Sequence, residues 1–170
     1  MDTSLTPLVE SLQARFGAQP AEFRGEVTLV LAPDQLIGAA QALRDEFGFK
    51  MMIDGTAVDY FPQTQPRFHL VYHLLNLDTN LILTLRVPVA GDDPHSPTLE
   101  TVYPGANWYE REVWDLFGIR FDGHSDMRRI IMPPDWQGHP LRKDYPLHYE
   151  EVQFSFNADE INARKPYAKE

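Results

Sequence analysis

Apolar residues recur at helical spacing in three stretches of the chain and at every second position in two others. Leu8, Leu12 and Phe16 lie four apart behind Thr6-Pro7 and before Gly17, which predicts a helix with Thr6 as N-cap and Gly17 as its stop. Residues 27–31 form a short valine- and leucine-rich run and read as a strand. Pro33-Asp34 opens a second helix, with Leu36, Ala39, Ala40, Leu43 and Phe47 on its apolar face and Gly48 at its end. Residues 49–53 read as a strand, followed by a bend at Asp54-Gly55. Phe68, Leu70, Tyr72 and Leu74 alternate with Val71, His73 and Leu75, and the run Leu81–Val89 alternates as well. Asp78-Thr79-Asn80 between the two runs predicts a hairpin. The order points to an α+β fold, a mixed sheet of about four strands with helices packed on one face.

A third helix is expected after the polar loop at residues 91–97. Asn107 is its candidate cap, and Glu110, three residues on, would complete a capping box. Tyr109, Val113, Leu116 and Phe117 would form its inward stripe, and Gly118 would close it. Beyond Gly118 regular structure is expected to fade. Pro133, Pro134, Pro140, Pro146 and Pro166 remove backbone donors and forbid long helices or central strands. Yet Trp136, Tyr145, Tyr149, Phe154 and Phe156 make this stretch too aromatic for a solvated linker. The expectation is a core domain over residues 1–118 and an extended, irregular C-terminal segment over 119–170 that docks onto something.

Charge and composition narrow the function. The formal net charge of −10 argues against nucleic acid or anionic lipid as the main partner. The absence of cysteine excludes disulfides and cysteine-ligated zinc or iron–sulfur clusters within the chain. No apolar run is long enough for a transmembrane helix, and the N-terminal stretch resembles neither a secretory signal nor a transit peptide. A cytoplasmic placement is the simplest expectation.

The densest chemistry lies at Glu110-Arg111-Glu112, Asp115-Leu116-Phe117, His124 and Arg128-Arg129. Glu112 and Asp115 share a helical face and could raise one another's pKa for general acid/base work. The competing reading is structural: Glu110 and Glu112 complement the helix dipole, and Arg111 reaches Asp115 at i,i+4. No nucleophile or metal-ligand motif stands beside them. His69 and His73 lie four residues apart on a strand, about 13 Å, too far for one ion. Neither of the familiar glycine-rich phosphate loops occurs. Arg128, Arg129, Arg142 and Lys143, interleaved with acids including Asp144 and set beside Trp136 and Tyr145, have the composition of a protein interface.

These residues also carry a resemblance. Glu110-Arg111-Glu112, then Asp115-Leu116-Phe117, His124, Arg128 and Ile130-Ile131 match in spacing the signature of the 30 kDa subunit family of respiratory complex I, in bacteria the subunit lettered C of NADH-quinone oxidoreductase. Residues 104–109 and 138–147 look like the same family, and the chain resembles the form not fused to the subunit lettered D. The resemblance implies a proton-translocating assembly that passes electrons from NADH to a quinone. It implies a peripheral subunit on the cytoplasmic side of the inner membrane, without cofactor of its own. FMN and iron–sulfur clusters are expected in partner subunits. The expected main partner is a homologue of the subunit lettered D, of the 49 kDa type, beside neighbouring iron–sulfur subunits. Glu110, Arg111, Glu112, Asp115, His124, Arg128, Arg129, Arg142, Lys143 and Asp144 would pair within the subunit or across the joint, with Trp136, Tyr145 and Phe154 as buried anchors. Rival expectations are the equivalent subunit of a membrane-bound hydrogenase or other donor:quinone oxidoreductase, and a free-standing acid/base enzyme using Glu112 and Asp115.

Overall fold

The computed structural model describes residues 5–146. In chain order these form α1 (Thr6–Phe16), β1 (Gln19–Phe23), β2 (Glu26–Val30), a 3-10 turn (Pro33–Gln35), α2 (Leu36–Asp45), β3 (Met51–Asp59), β4 (Phe68–Asn76), β5 (Leu81–Val89), β6 (His95–Pro97), α3 (Ala106–Phe117) and β7 (Arg120–Asp122). The main sheet has the order β1-β2-β5-β4-β3. Only β2 and β5 are parallel within it. β6 and β7 pair in parallel as a separate ribbon.

The alternating residues decide which face is covered. Phe68, Leu70, Tyr72 and Leu74 of β4 and Leu83, Leu85 and Val87 of β5 are buried in one cluster with the apolar sides of α1, α2 and α3. His69, Val71, His73, Thr84 and Arg86 point to the opposite face and stay partly open to solvent. The β4–β5 hairpin has the expected register, and Asn76 closes its loop by accepting from the Asp78 and Thr79 amides at 2.9 and 3.2 Å.

The α+β fold with a mixed sheet is as expected, and several details differ. The main sheet has a fifth strand, β1, an edge strand whose side chains are all exposed. It leaves no apolar alternation to read. Arg24 and Gly25 join it to β2 with φ of 53° and 86°, a type I′ geometry that suits strand twist. Pro33–Gln35 is a 3-10 turn, and α2 proper begins at Leu36. Asp54-Gly55 is no bend: both lie inside β3, past a register shift between Met52 and Asp54. Gly55 is there for space. A Cβ at this position would sit 3.0 Å from the Tyr72 ring and 3.3 Å from Tyr109 Cβ, so glycine is what allows α3 to approach β3. Chain order does not stop at Gly118 either, since β7 follows and Ile119 and Phe121 join the core.

Gly55→Val is expected to lower the unfolding free energy by about 1–3 kcal/mol in urea denaturation. Thr56→Val on the exposed side of the same strand should change it by less than about 0.5 kcal/mol.

Candidate subunit interface

Helix α3 ends where the irregular segment begins, and the two are joined bond by bond. The last four carbonyls of a helix have no partner within it. Here Gly118 N–H donates to Trp114 O at 2.8 Å, His139 Nδ1 lies 2.9 Å from Asp115 O, Leu141 N–H donates to Leu116 O at 3.0 Å, and Arg142 Nε donates to Phe117 O at 2.5 Å. One of the four caps is the Arg142 guanidinium, which also suits the negative end of the helix dipole. Gly118 has φ +74°, and any Cβ there would meet the His139 ring at 2.5 Å. The helix stop and the docking of His139 therefore need the same glycine.

The Asp115 side chain binds the same segment from the other side. One oxygen accepts from the amides of Ile130, Ile131 and Met132 at 3.0, 2.8 and 2.8 Å. The other accepts from Arg129 Nη1 at 2.6 Å, and Arg129 reaches on to the Trp136 and Gly138 carbonyls. Burial pushes the Asp115 pKa up, but the amides of Met132 and Ile131, the Arg129 guanidinium and the Ile130 amide outweigh it and hold the carboxyl below its ordinary range. The expected Arg111–Asp115 pair is not formed. Glu112 is exposed while Asp115 is fully enclosed, so the Glu112–Asp115 acid/base pair is not formed either.

Glu110 is not a capping-box residue, because its side chain turns inward. It accepts from the Thr98 hydroxyl and from Leu99 N–H, fixing the loop after β6 to α3. It is 1% exposed, and burial pushes its pKa up to about 7 against the opposing hydrogen bonds of Thr98 and Leu99. Asn107, expected as the cap, instead bridges Glu100 and Ser125. The His124 ring, buried beside it, contacts Asn107 O at 3.1 Å and accepts the Asp126 amide at 3.0 Å. Arg111 runs under the segment and donates to the carbonyls of Arg128 and Arg129 at 3.1 and 3.4 Å, with Trp108 5.2 Å from its guanidinium.

A second latch was invisible in the sequence. Arg67, buried just before β4, forks onto both oxygens of Asp59 at 2.9 and 2.8 Å and onto both oxygens of Asp144 at 2.9 and 2.6 Å. Asp59 also accepts the Lys143 amide at 2.9 Å. Burial raises the Asp59 pKa, yet Arg67 and the Lys143 and Phe61 amides bring it down to about 2. The charge of Asp144 is thus engaged inside the chain, as is that of Arg142, which stacks on Phe68. The partners are 77 residues apart, and an arginine flanking an apolar strand was the only local sign.

Trp136 and Tyr145 are half-buried rather than enclosed, and Phe154 lies outside the described residues. Of the expected site residues Glu112, Arg128 and Lys143 remain exposed, and Trp108 is 61% exposed as well. Trp108, Arg111, Trp114 and the 127–134 segment enclose a groove of about 660 Å³. Trp108 and Trp114 were not singled out as site residues. Their six-residue spacing on α3 matches no simple stripe.

Asp115→Asn should leave the three amides with a weaker acceptor and Arg129 without its counter-charge. A loss of about 3 kcal/mol in denaturant unfolding is expected, with faster tryptic cleavage after Arg128 and Arg129. Glu110 predicts a pH effect of opposite sign to the depressed carboxylates. Its folded pKa of about 7 lies above its unfolded value, so its stability contribution is full below about pH 4.5 and is lost as pH rises through 7. Between pH 5 and 8 the wild type should lose roughly 2–3 kcal/mol relative to Glu110→Gln in paired urea titrations.

Comparison with known proteins places this geometry. The family described as respiratory-chain NADH dehydrogenase, 30 Kd subunit, matches residues 29–151. The NADH-quinone oxidoreductase subunit lettered C of Roseiflexus sp. (strain RS-1) is 47% identical over 152 residues, covering 88% of this chain and 87% of that one. The protein of the same name from Herpetosiphon aurantiacus is 44% identical over 167 residues, covering 94% and 97%. Among solved structures, the trypsin-resistant fragment (1-134) of Nqo5 superposes with a TM-score of 0.63 at 32% identity, over 73% of this chain and 99% of that one. A chain of an archaeal membrane-bound sulfane sulfur reductase superposes with a TM-score of 0.69 over 96% and 95%, at 24% identity, a likeness of fold alone. With the motif, the fold and the relatives in agreement, the chain belongs to the 30 kDa subunit family of the respiratory-chain NADH dehydrogenase.

Proposed function

We propose that this chain is a non-catalytic docking subunit of a proton-translocating NADH-quinone oxidoreductase, and that α3 with the segment wired to it is the pre-formed surface on which neighbouring subunits assemble. The main partner on this reading is the 49 kDa-type homologue, the subunit lettered D, with iron–sulfur subunits of the peripheral arm beside it. FMN and the clusters reside in those partners. This chain contributes shape and register to electron transfer from NADH to quinone. It works at the cytoplasmic face of the membrane and is held there by the complex; among the described residues no helix is long and apolar enough to cross a membrane.

The observation that carries this reading is the division among the charged residues of the motif. Asp115, Glu110, Arg129, Arg142 and Asp144 are engaged with the chain's own backbone and side chains. A carboxylate held by three amides and a guanidinium stays ionised through neutral pH and is a poor proton shuttle. Trp108 and Arg128 are left outside, residue types that concentrate binding energy when a partner excludes water from them.

Arg128→Glu should leave the chain folded, with unfolding free energy within about 0.5 kcal/mol of wild type, and should sharply reduce its incorporation into the complex. Arg142→Glu should instead destabilise the chain itself by roughly 2 kcal/mol or more. Denaturation of the purified chains and native gels of the membranes read the two effects separately. A complex that assembles normally with Arg128→Glu but turns over slowly would replace the docking role with a direct one.

A further inference from the structure

The groove beside α3 opens next to the wiring of the irregular segment, and Arg111 and Arg129 serve both. Its walls are Trp108, Arg111, Trp114, Arg128, Arg129 and Pro134. Two features set it apart from an ordinary surface depression. The first is the indole of Trp108, which stands mostly in solvent at its rim. The second is a surplus of positive charge in a chain whose net charge is −10. Asp115 answers Arg129 from behind, with its oxygens facing residues 129–132. Asp126 holds Arg128 at 2.7 and 2.6 Å and also lies in the field of Arg111. Arg111 itself is nine-tenths buried, yet it bonds only the main-chain oxygens of Arg128 and Arg129, and among the described residues no carboxylate forms an ion pair with it. Three guanidinium groups therefore share two carboxylates, one of them sealed behind the wall.

We propose that this groove receives an extended acidic segment of a neighbouring protein in the complex, with one carboxylate settling between Arg111 and Arg128 and a neighbouring apolar side chain covering Trp108. The inference rests on the docking-subunit reading and names the chemistry of what docks. A guanidinium removed from water with only carbonyl partners keeps its charge unanswered, and a carboxylate can meet its fork at two points. The Arg128–Asp126 pair is no obstacle. Arg128 is 79% exposed in that pair, so the contact is weak and its donors can turn to a stronger acceptor. In a chain of net charge −10, a groove lined by three guanidinium groups is a favourable place for an acidic partner, which fixes register as well as adding affinity. Tryptophan and arginine are also among the residue types enriched at the energetic centre of interfaces.

The test uses the assembled complex. Cells carry Asp126→Asn/Arg128→Lys in place of the native chain, which puts a single amine in the groove and removes the nearest internal acid. A zero-length carbodiimide then joins that amine to any carboxylate in contact, and mass spectrometry identifies the joined peptide. Coupling to an aspartate or glutamate of another subunit is the expected result. Coupling only to carboxylates of this same chain, or no coupling in an intact complex, overturns the proposal. A second arm keeps every arginine. Because the chain contains no cysteine, Pro134→Cys supplies one thiol at the groove wall. Maleimide labelling of this chain should be slowed roughly tenfold or more in the complex relative to the free chain, as for a residue inside an interface. Equal labelling overturns the proposal even if the first variant does not assemble. Failure of the docking-subunit reading looks different: the chain would not co-purify with the other subunits at all.

Discussion

The Asp115 carboxylate is the contact on which the second half of the molecule depends. Residues 130–132 run without helix or strand, so their amides have no ladder to join, and an enclosed amide without an acceptor costs about 1–3 kcal/mol. One carboxylate oxygen serves all three, while its partner takes the Arg129 guanidinium. A fully enclosed carboxylate is itself costly. It persists here because its hydrogen-bonding capacity is filled, and because the helix that carries it is anchored in the core through Val113 and Phe117. The side chain does for this stretch what a neighbouring strand does elsewhere.

The same logic accounts for Arg67. Residues 139–145 are tied both to the end of α3 and to the sheet. Leu141 N–H and Arg142 fasten them to the helix end, and Asp144 and the Lys143 amide fasten them to β3 and β4 through Arg67 and Asp59. Asp59 here, like Asp115 above, is a fully used carboxylate placed where backbone donors have no regular partner. Arginine is the suitable cation, since one planar guanidinium makes four bonds to the oxygens of two carboxylates and a lysine ammonium has only three donors.

What the sequence disclosed follows from the range of each interaction. The three helices and the β4–β5 hairpin were readable because their apolar periods come from one covered face of one sheet. β1 was not, since an edge strand with five exposed side chains carries backbone bonds and no pattern. Gly55 was misread because glycine marks both turns and close approaches, and only the Tyr72 and Tyr109 side chains distinguish the two. Within the motif, i,i+3 and i,i+4 reasoning looked for partners along α3. The actual partners of Glu110, Arg111 and Asp115 lie in loops 11 to 18 residues away, on either side of the helix. The motif could be recognised, but its internal roles required the fold.

Those roles change what the motif's charges are for. An acidic and basic cluster invites a catalytic reading only while its members are imagined free. Once Asp115, Glu110, Arg129 and Asp144 are engaged internally, the cluster is a way of holding irregular backbone rigid, and rigidity is what a docking surface needs. A segment ordered before its partner arrives does not lose that conformational entropy on binding. Prolines 133, 134, 140 and 146 act in the same direction by narrowing the unfolded ensemble of the segment. The exposed residues Trp108 and Arg128 therefore project from a frame that is already fixed, and on the proposed docking role the affinity they add would not be offset by the ordering of the frame beneath them.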